Sequence, residues 1–502
     1  MWRRVLMAAG LVAVLGTAAH AEPPQRLASA DIGALAPAGL PPHLLEPSFE
    51  DAPAGRPKAP PEETRRPAAT PRQGAPLTIV LVGDTGLNGG MQPVHPDGAL
   101  KHGRRHAWAD LTARIRSEIN GDLNFANLET VVTDRSDLRP EPKSFNFRTH
   151  SEGVRHLVRL GFNLFSTANN HSGDYGPAGM RDTLRHLERL RDEGLLAHAG
   201  LGVDRKDAAR PRLVTVRDET LAFSAFGIVT RGFAHHRAGE ARPGQLSYHA
   251  PEDIADILGG LRATGSAYRI LSVHHGAELA VMADAAAVQR FRHQAVKAYG
   301  VDLVVGHHAH VVAGIERVDG RLIFYGLGNF LHPGTQDMAK FGLCRDYGLI
   351  ARVHLARAGK GRLVAKAVEI VPIRGTHLAP QRLPAAQAVE RIEVVNYLAR
   401  FLDAPGDGAV GVRFRPQADG SGLYCTADAA AEPGRIGSLC GGWRPPAPMS
   451  TALERRIRAS CGGAHIARRR AMPTQRTAGR TRPASRTTSR PPSIFSALGF
   501  GD

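Results

Sequence analysis

Short apolar runs and longer amphipathic stretches alternate along the chain from Pro76 to about residue 400. The first run, LTIVLV at 77–82, is continuous and rich in β-favouring residues, which is typical of a strand buried on both faces. Further strands and helices follow in turn, and the series ends in hairpins. Strands that alternate with helices in this way indicate a mixed-sheet α/β domain. We therefore predict one such domain over residues 76–402.

The pattern places each element at a definite position. Strands are predicted at 77–83, 122–128, 162–168, 212–217, 221–228, 269–274, 301–306, 311–318, 321–326, 347–356 and 362–372. Helices are predicted at 107–119, 151–160, 176–193, 251–263 and 284–299. Asp319 and Gly320 are predicted to form the turn of one hairpin, because Asp-Gly between two apolar runs favours a tight β-turn.

The segments that flank this domain have different compositions. Residues 22–75 contain three Pro-Pro pairs and almost no aromatic side chains, so they cannot bury enough apolar surface to become ordered. We read them as a disordered, proline-rich linker. Residues 403–464 are predicted to be a loop-rich, cysteine-containing extension, and residues 465–502 a disordered, arginine-rich tail.

Residues 1–21 have the features of an export signal. Arg3 and Arg4 precede a short apolar run, and Ala19-His20-Ala21 places small residues where a signal peptidase reads them. We expect cleavage after Ala21 and a periplasmic or secreted protein. The alternative is that the segment is retained as an N-terminal membrane anchor.

Export to an oxidising compartment changes the interpretation of the four cysteines, which are Cys344, Cys425, Cys440 and Cys461. None of them forms a C-x-x-C pair, so neither a zinc site nor a redox motif is indicated. Disulfides are expected instead. Three pairings are open, and we expect the local one, Cys425 with Cys440.

The net charge is concentrated in the tail. The chain has 64 Lys and Arg against 47 Asp and Glu, for a formal charge of +17. Residues 451–502 contain eleven arginines and only Glu454 and Asp502 as acids, a net charge of +9. No aromatic residues are interleaved with these arginines to stack on bases, and an exported protein rarely meets nucleic acid, so we expect no nucleic-acid partner. The tail either contacts an anionic polymer or surface or is a solvated extension.

Polar side chains with metal-binding chemistry follow five of the predicted strands. The segments are GDTG at 83–86, NLET at 127–130, ANNH at 168–171, VHHGAE at 273–278 and GHHAH at 306–310. Open α/β sheets bind ligands at the carboxyl ends of their strands. Carboxylate, amide and imidazole donors suit Zn, Mn, Fe or Mg rather than a thiolate metal.

Each of these segments also has a simpler interpretation when it is taken alone. Asp84 is compatible with a helix cap, Glu129 with a buried salt bridge, and Asn169-Asn170-His171 with a polar turn. The strongest single signal is GHHAH, because His residues two apart on an extended segment point to the same side. Together, the five segments predict one or two divalent metals that share Glu129 or Asp84, with a non-ligand His to protonate a leaving group.

Several of these segments carry a resemblance to a known family. They are GDTGL at 83–87, FANLETVVTD at 125–134, FSTANNHSGDYGPAGMRDTL at 165–184, HAGLG at 198–202, VHHGAE at 273–278 and VDLVVGHHAHVVAGIERVDGRLIFYGLGNFL at 301–331. Their order and their amino-acid sequences resemble those of the CapA-type capsule-biosynthesis family, which are bacterial proteins associated with poly-γ-glutamate synthesis. This family lies within the calcineurin-like metallophosphoesterase superfamily. The resemblance implies a four-layer αββα sandwich of mixed sheets with a metal site at the strand ends.

The resemblance also implies a set of site residues. By position, the metal ligands would be Asp84, Glu129, Asn170, His274, His308 and His310, with His307 competing with His308 for one place. His171 matches the proton donor of the superfamily. Residues expected to support the ligands or contact substrate are Asn127, Asn169, Asp174 and Glu278.

Three positions depart from the family pattern. Gly86 stands where the first superfamily motif usually has a His, and Glu129 stands where the second usually has an Asp. His275 follows His274 where an aromatic residue is more usual, and we expect it to be a tolerated, exposed side chain.

Two functions remain open at this stage. The first is an exported, metal-dependent, phosphatase-like hydrolase of the poly-γ-glutamate capsule type, acting on a cell-envelope polymer or its precursor. The alternative is a non-catalytic envelope protein that binds or tethers an anionic polymer. Serine-hydrolase chemistry is not indicated, because the chain has no G-x-S-x-G motif.

Overall fold

The computed structural model describes residues 76–359 and 361–462. The predicted export signal, the predicted linker and the predicted tail at 465–502 lie outside these residues. The strands of the described chain are β1 (Leu77–Thr85), β2 (Gly98–Lys101), β3 (Arg104–Ala107), β4 (Leu123–Leu128), β5 (Val131–Val132), β6 (Arg148–Thr149), β7 (Leu164–Ser166), β8 (Ala197–Ala199), β9 (Arg212–Val216), β10 (Glu219–Phe226), β11 (Tyr268–His274), β12 (Leu303–His307), β13 (Ile315–Val318), β14 (Arg321–Phe324), β15 (Asn329–Leu331), β16 (Gly348–Ala358), β17 (Arg362–Arg374), β18 (Gln381–Arg382), β19 (Ala409–Gly411), β20 (Arg415–Pro416) and β21 (Gly422–Cys425).

In the described chain the helices are fewer than the strands. They are α1 (Trp108–Thr112), α2 (Ser151–Leu160), α3 (Gly176–Arg189), α4 (Arg205–Ala209), α5 (Pro251–Ala263), α6 (Ala285–Val288), α7 (Ala385–Ala399), α8 (Arg435–Cys440) and α9 (Thr451–Cys461). A π-helical segment, Gln289–Ala298, continues α6. Among the described residues, none of the helices combines the length and the apolar composition that a membrane span requires.

The strands form two large mixed sheets. The first has the order β20-β21-β17-β16-β1-β4-β7-β8, with β15 also paired to β1 and β18 to β17. The second has the order β19-β13-β14-β12-β11-β10-β9. Strands β1, β4, β7 and β8 are parallel neighbours in the first sheet, and β10, β11 and β12 are parallel neighbours in the second. The carboxyl ends of each parallel set therefore lie along one edge of their sheet.

Side-chain alternation explains why the two sheets pack face to face. In β1, Ile79 and Leu81 join a core that also contains Phe223 and Ile270 of the second sheet. Successive side chains of a strand point to opposite faces, so Val80 and its neighbour Val82 point away from the second sheet. They pack instead in a separate core with Val154 and Leu157 of α2.

The second sheet has the same two-sided burial. Leu271 and Val304 lie on its outer face, where they pack with Ile257 of α5 and Phe291 of the π-helical segment. Helices thus cover the outer face of each sheet, and the layers run helix, sheet, sheet, helix. This arrangement confirms the predicted mixed α/β fold and the αββα sandwich that the family resemblance implies.

Most of the predicted elements are present, and one helix prediction needs correction. The helix predicted at 107–119 ends at Thr112 and is followed by a separate 3₁₀ turn, Arg116–Glu118. The Thr112 hydroxyl donates to the Trp108 carbonyl oxygen over 3.2 Å, a local bond that competes with regular helix continuation. The β2–β3 hairpin just before this helix was not predicted.

The cysteine-containing extension at 403–464 supplies strands to both sheets. Strand β19 pairs with β13 in the second sheet, and β20 and β21 extend the first sheet beyond β17. Cys425 forms a disulfide with Cys440, which confirms the predicted local pairing. Cys344 pairs with Cys461 of α9 across 117 residues.

Candidate metal centre

The site lies where strand ends from both sheets meet. The first sheet contributes Asp84 at the end of β1, Glu129 just after β4 and the Asn169-Asn170-His171 turn after β7. The second sheet contributes His274 at the end of β11 and the His-rich segment 307–310 at the end of β12. The structure therefore brings together the residues for which the sequence predicted metal-ligand roles.

Glu129 lies at the centre of this group and is unusual for a carboxylate. Its side chain is 0% exposed, and neither carboxylate oxygen has a hydrogen-bond partner among the described residues. Its Oε1 lies 3.4 Å from His274 Nε2, and its Oε2 lies 3.9 Å from His310 Nδ1. Burial and then the charge of Asp84 raise the pKa of Glu129 well above its ordinary value. Burying a carboxylate without a hydrogen bond costs free energy unless a cation lies beside it.

Asp84 and His310 form a second part of the site. His310 Nδ1 lies 3.2 Å from Asp84 Oδ2 and 2.8 Å from Asn329 Oδ1. Burial alone would raise the pKa of Asp84, but the neighbouring His307 and His310 bring it well below its ordinary value. Burial would conversely lower the pKa of His310, but Glu129 and Asp84 raise it to about 10.

His274, Asn170 and His308 form the third part. His274 Nε2 lies 2.6 Å from Asn170 Oδ1 and 3.1 Å from His308 Nδ1. Burial, followed by the nearby His308, lowers the pKa of His274 well below its ordinary value. A neutral imidazole is the form of His that binds metals.

These side chains form two overlapping groups of metal-type ligands. One consists of Asp84, Glu129 and His310, and the other of Glu129, His274 and His308. Within each group, one ligand atom per residue lies within 4.8 Å of the others. Glu129 belongs to both groups, so the geometry is suited to one ion or to two that share this carboxylate.

His307 and His308 occupy different places, which bears on the choice that the sequence left open. His307 is the last residue of β12 and packs against Phe125, with 5.5 Å between ring centroids. Its Nδ1 lies 3.4 Å from Asp84 Oδ1, but His307 is in neither ligand group. The geometry therefore favours His308 as the ligand and places His307 behind Asp84.

The backbone after β12 adopts a conformation that L-residues rarely use. His308 has φ of 94° and His310 has φ of 55°. Non-glycine residues held at positive φ cost about 1–3 kcal/mol each and concentrate at functional sites. Here the turn directs His308 toward His274 and His310 toward Asp84.

His171 lies beside the ligand groups, and Asp174 holds its ring on the side away from Glu129. Its Nδ1 lies 2.7 Å from Asp174 Oδ2, and its Nε2 lies 4.0 Å from Glu129 Oε1. Lys143 forms an ion pair with Asp174 and donates to the Asn170 carbonyl oxygen over 2.7 Å. Burial and then Lys143 lower the pKa of His171 well below its ordinary value, whereas burial raises the pKa of Asp174 to about 7.

The remaining predicted site residues have distinct surroundings. Asn127 donates to Asp84 Oδ1 over 2.8 Å, and Asn169 donates to the Leu128 carbonyl oxygen over 3.0 Å. Both amides therefore hold site residues or the adjoining loop in place. Glu278 is exposed and lines the neighbouring cavity, which suits a substrate contact rather than support of a His ring.

His332, which no sequence pattern indicated, also lies next to the site. It follows β15, is 0% exposed, and has its Nε2 3.7 Å from Glu129 Oε2. A Cβ at Gly86 would lie 3.0 Å from the His332 ring, so this ring fills the space beside the glycine of the first motif. Strand β15 has only three residues and is too short to be recognised from its pattern, so its exit was not identified as a strand end.

The expectation for His275 was wrong. It is 5% exposed rather than an exposed residue, and its ring packs against Phe291 at a centroid distance of 4.5 Å and against Tyr248 at 5.7 Å. Burial lowers its pKa to about 3. The imidazole therefore packs as one ring of a buried aromatic cluster with Phe291 and Tyr248.

A cavity of about 970 Å³ opens beside the site, with His171 and His310 in its wall. The β2–β3 hairpin and neighbouring loops line another part of it with basic and imidazole side chains, which are Lys101, His102, Arg104, His106 and His377. The cavity therefore connects the candidate metal centre to a wall that carries these basic side chains together with the carboxylates Glu278 and Asp337.

Comparisons with known proteins indicate the family of this chain. A family model described as "Bacterial capsule synthesis protein PGA_cap" matches residues 78–333. "PGA biosynthesis protein CapA" of Bacillus subtilis (strain 168) is 30% identical over 249 residues, which are 50% of this chain and 62% of that protein. "Capsule biosynthesis protein CapA" of Bacillus anthracis is 23% identical over 334 residues, 66% of this chain and 74% of that protein.

Two further matches are a relative with a differently worded name and a solved structure of low similarity. A "Probable polyglutamine synthesis accessory protein" of Mycobacterium tuberculosis (strain ATCC 25618 / H37Rv) is 28% identical over 347 residues, 61% of this chain and 87% of that protein. A solved structure of a hypothetical protein from Thermus thermophilus covers 61% of this chain and 100% of its own, with 16% identity and a TM-score of 0.33, too low to support an inference.

The match to the Bacillus subtilis relative spans less than two thirds of that protein's length. The family model, in contrast, runs from β1 to just beyond His332 and includes every residue of the two ligand groups. Because this model covers half of the chain, the protein belongs to the bacterial capsule synthesis protein family PGA_cap, in the metallophosphoesterase-like superfamily.

Proposed function

We propose that this protein is an exported, metal-dependent hydrolase of the phosphatase-like type that acts on poly-γ-glutamate, a related envelope polymer, or its precursor. The observation that carries the proposal is Glu129, a fully buried carboxylate without hydrogen bonds that two sets of imidazoles approach. The names of the Bacillus relatives support a role in capsule polymer synthesis.

The residues present fit a divalent cation. Both oxygens of Glu129 and both ring nitrogens of His332 are buried without hydrogen-bond partners among the described residues, and a cation would satisfy such atoms. Asp84, Glu129 and His310 would hold one ion, and Glu129, His274 and His308, with Asn170 beside them, would hold another. Oxygen and imidazole donors suit Mn, Zn, Fe or Mg. When bound, the cation supplies Lewis acidity that polarises a phosphoryl or carbonyl oxygen.

His171 is the residue placed to move a proton. Its Nδ1 is engaged by Asp174 Oδ2, so Nε2, which lies 4.0 Å from Glu129 Oε1, is the atom that would face a substrate. With a pKa of about 7, Asp174 is able to hold a proton near neutral pH and pass it to Nδ1 as Nε2 gives its own proton to the leaving group. Lys143 fixes Asp174 and keeps the ring in this orientation.

The cavity beside the site supports an anionic substrate. Arg104 and His102 are exposed on the β2–β3 hairpin, whereas Lys101 is turned inward and donates to the carbonyl oxygens of Thr335 and His377. We propose that the exposed part of this basic wall binds polymer carboxylates or a phosphate group, and that the arginine-rich tail adds a salt-sensitive contact with an anionic envelope surface.

The proposal is tested with the purified full chain. It is supplied with Mn²⁺ or Zn²⁺ and incubated with a phosphomonoester, a phosphodiester and a γ-glutamyl peptide. We expect metal-dependent turnover of at least one class, loss of turnover in His171→Gln with metal retained, and loss of both in Glu129→Gln. Metal binding without turnover of any class would contradict the hydrolase proposal. It would favour instead a non-catalytic protein that tethers an anionic polymer.

A further inference from the structure

A second group of metal-type ligands lies outside the candidate metal centre. It consists of Glu141, His235 and His236, and one ligand atom of each lies within 4.8 Å of the other two. Glu141 Oε1 lies 2.8 Å from His235 Nε2 and 3.3 Å from His236 Nε2. None of these three residues belongs to the groups around Glu129, and none of the five metal-type segments in the sequence contains them.

The buried member of the group, His236, directs its ligand atom at the Glu141 carboxylate. Its side chain is 5% exposed, and its Nε2, 3.3 Å from Glu141 Oε1, makes no well-aligned hydrogen bond among the described residues. A buried imidazole nitrogen without a hydrogen bond is uncommon because its desolvation is uncompensated. This nitrogen points toward the Glu141 carboxylate, where a cation would satisfy it.

The His236 ring is held in this orientation by its neighbours. It stacks on Phe233 with 5.3 Å between centroids and 23° between planes, and it meets the His235 ring edge-on at 4.4 Å. On its other side is Gly173, where a Cβ would lie 2.5 Å from the ring. A glycine is therefore required at 173 for the ring to lie here, so the ligand is positioned before any ion arrives.

The backbone of Glu141 is also held in place. The Glu141 backbone NH donates to the Asp174 carbonyl oxygen over 2.8 Å, and the Asn146 side chain donates to the Glu141 carbonyl oxygen over 3.0 Å. The third ligand, His235, has a side chain that is 44% exposed, so an ion is able to reach the group from solvent.

We propose that Glu141, His235 and His236 form a second divalent-metal site, of the zinc class, that fastens segment Arg231–His236 to the loop around Glu141. Two imidazoles and one carboxylate with a fourth position open to water are a ligand set that zinc uses in proteins. The site touches the proton-donor turn through Gly173 and Asp174, so a bound ion restrains the turn that carries His171 without sharing a ligand with the main centre.

The test uses the full chain with the main centre disabled by Glu129→Gln. Zinc binding is measured by calorimetry and by metal analysis after gel filtration. We expect one zinc per chain, with affinity at least about 10-fold weaker when His235→Ala or Glu141→Gln is added. His293→Ala, which changes another surface histidine, is the matched control and should leave binding unchanged.

Hydrogen exchange locates the ion and also shows whether a variant has lost its fold. Zinc should slow exchange in Arg231–His236 in the Glu129→Gln protein but not after His235→Ala is added, although both proteins show the same exchange elsewhere. No zinc binding by Glu129→Gln, or binding that is unaffected by both His235→Ala and Glu141→Gln, would overturn the proposal. Neither result depends on whether the main centre is catalytic.

Discussion

The two sheets contribute different chemistry to the candidate metal centre. The first sheet supplies mainly oxygen donors, which include Asp84, Glu129 and Asn170, whereas the second supplies only imidazoles, from His274 to His310. Neither sheet alone holds a complete group of ligands, because both groups combine Glu129 with His residues of the other sheet. The site therefore depends on the packing between the sheets as much as on the strand ends themselves.

The largest effect is expected from removing the carboxylate that both ligand groups share. Glu129→Gln should lower metal affinity by more than the roughly 10- to 100-fold that an outer partner costs. The metal-free variant should also be at least as stable as the wild type, since a buried carboxylate without hydrogen bonds is removed. Calorimetry and thermal unfolding measure the two quantities.

The control is Glu278→Gln, which changes an exposed carboxylate at the cavity and should keep the metal. An equal loss of metal in both variants would count against a special role for Glu129.

The second prediction concerns the packing that joins the sheets beneath the site. Phe125 of the first sheet contacts Phe223 of the second edge-on at 5.9 Å and also contacts the His307 ring. Phe125→Ala should reduce the free energy of unfolding by about 3–5 kcal/mol, measured by denaturant titration. Phe145→Ala removes a ring that is 66% exposed and should cost no more than about 0.5 kcal/mol. A similar loss of unfolding free energy in the two variants would show that Phe125 does not hold the two sheets together.

The third prediction compares two buried histidines, one next to each of the two sheets. His332 faces Glu129 from the first sheet, whereas His275 packs on Phe291 outside the ligand groups of the second. His332→Ala should weaken metal binding roughly 10- to 100-fold, and His275→Ala should leave it unchanged while lowering stability. A metal affinity that falls equally in both variants would mean that the loss arises from the cavity left by any buried ring.

The smallest effect is expected from a change next to His171, the proposed proton donor. Lys143→Met removes the ammonium group that pairs with Asp174 and should lower turnover about 10-fold, with metal content unchanged. Lys340→Met, at an exposed position, is the matched control and should retain full turnover. If Lys143→Met also lost metal, Lys143 would belong to the support of the ligands rather than to that of His171.

The sequence was most informative where a strand was long and its exit polar. Asp84, Glu129 and His274 follow or end strands whose apolar runs are easily recognised, and the parallel connection of these strands places their ends on one edge. Helix α5 was predicted at its observed limits because Pro251 begins it and its apolar face is regular. These features depend on local patterns, which a single sequence records.

Other features depend on contacts between distant segments. His332 follows a three-residue strand that is held by pairing with β1, and His275 is buried only because Phe291 and Tyr248 close over it. The group of Glu141 and His235 joins segments that are 94 residues apart. Neither apolar periodicity nor a local motif identifies such residues, because their surroundings are created by packing.

The most direct test of the central claim is the metal content of the full chain with the second site removed by Glu141→Gln and His235→Ala. This protein should bind at least one equivalent of Mn²⁺ or Zn²⁺. It should lose that metal when Glu129→Gln, from the first sheet, is added, and also when His274→Ala and His310→Ala, from the second, are added together. Absence of metal from the parent protein, or its retention after either change, would contradict a metal centre assembled by the two sheets.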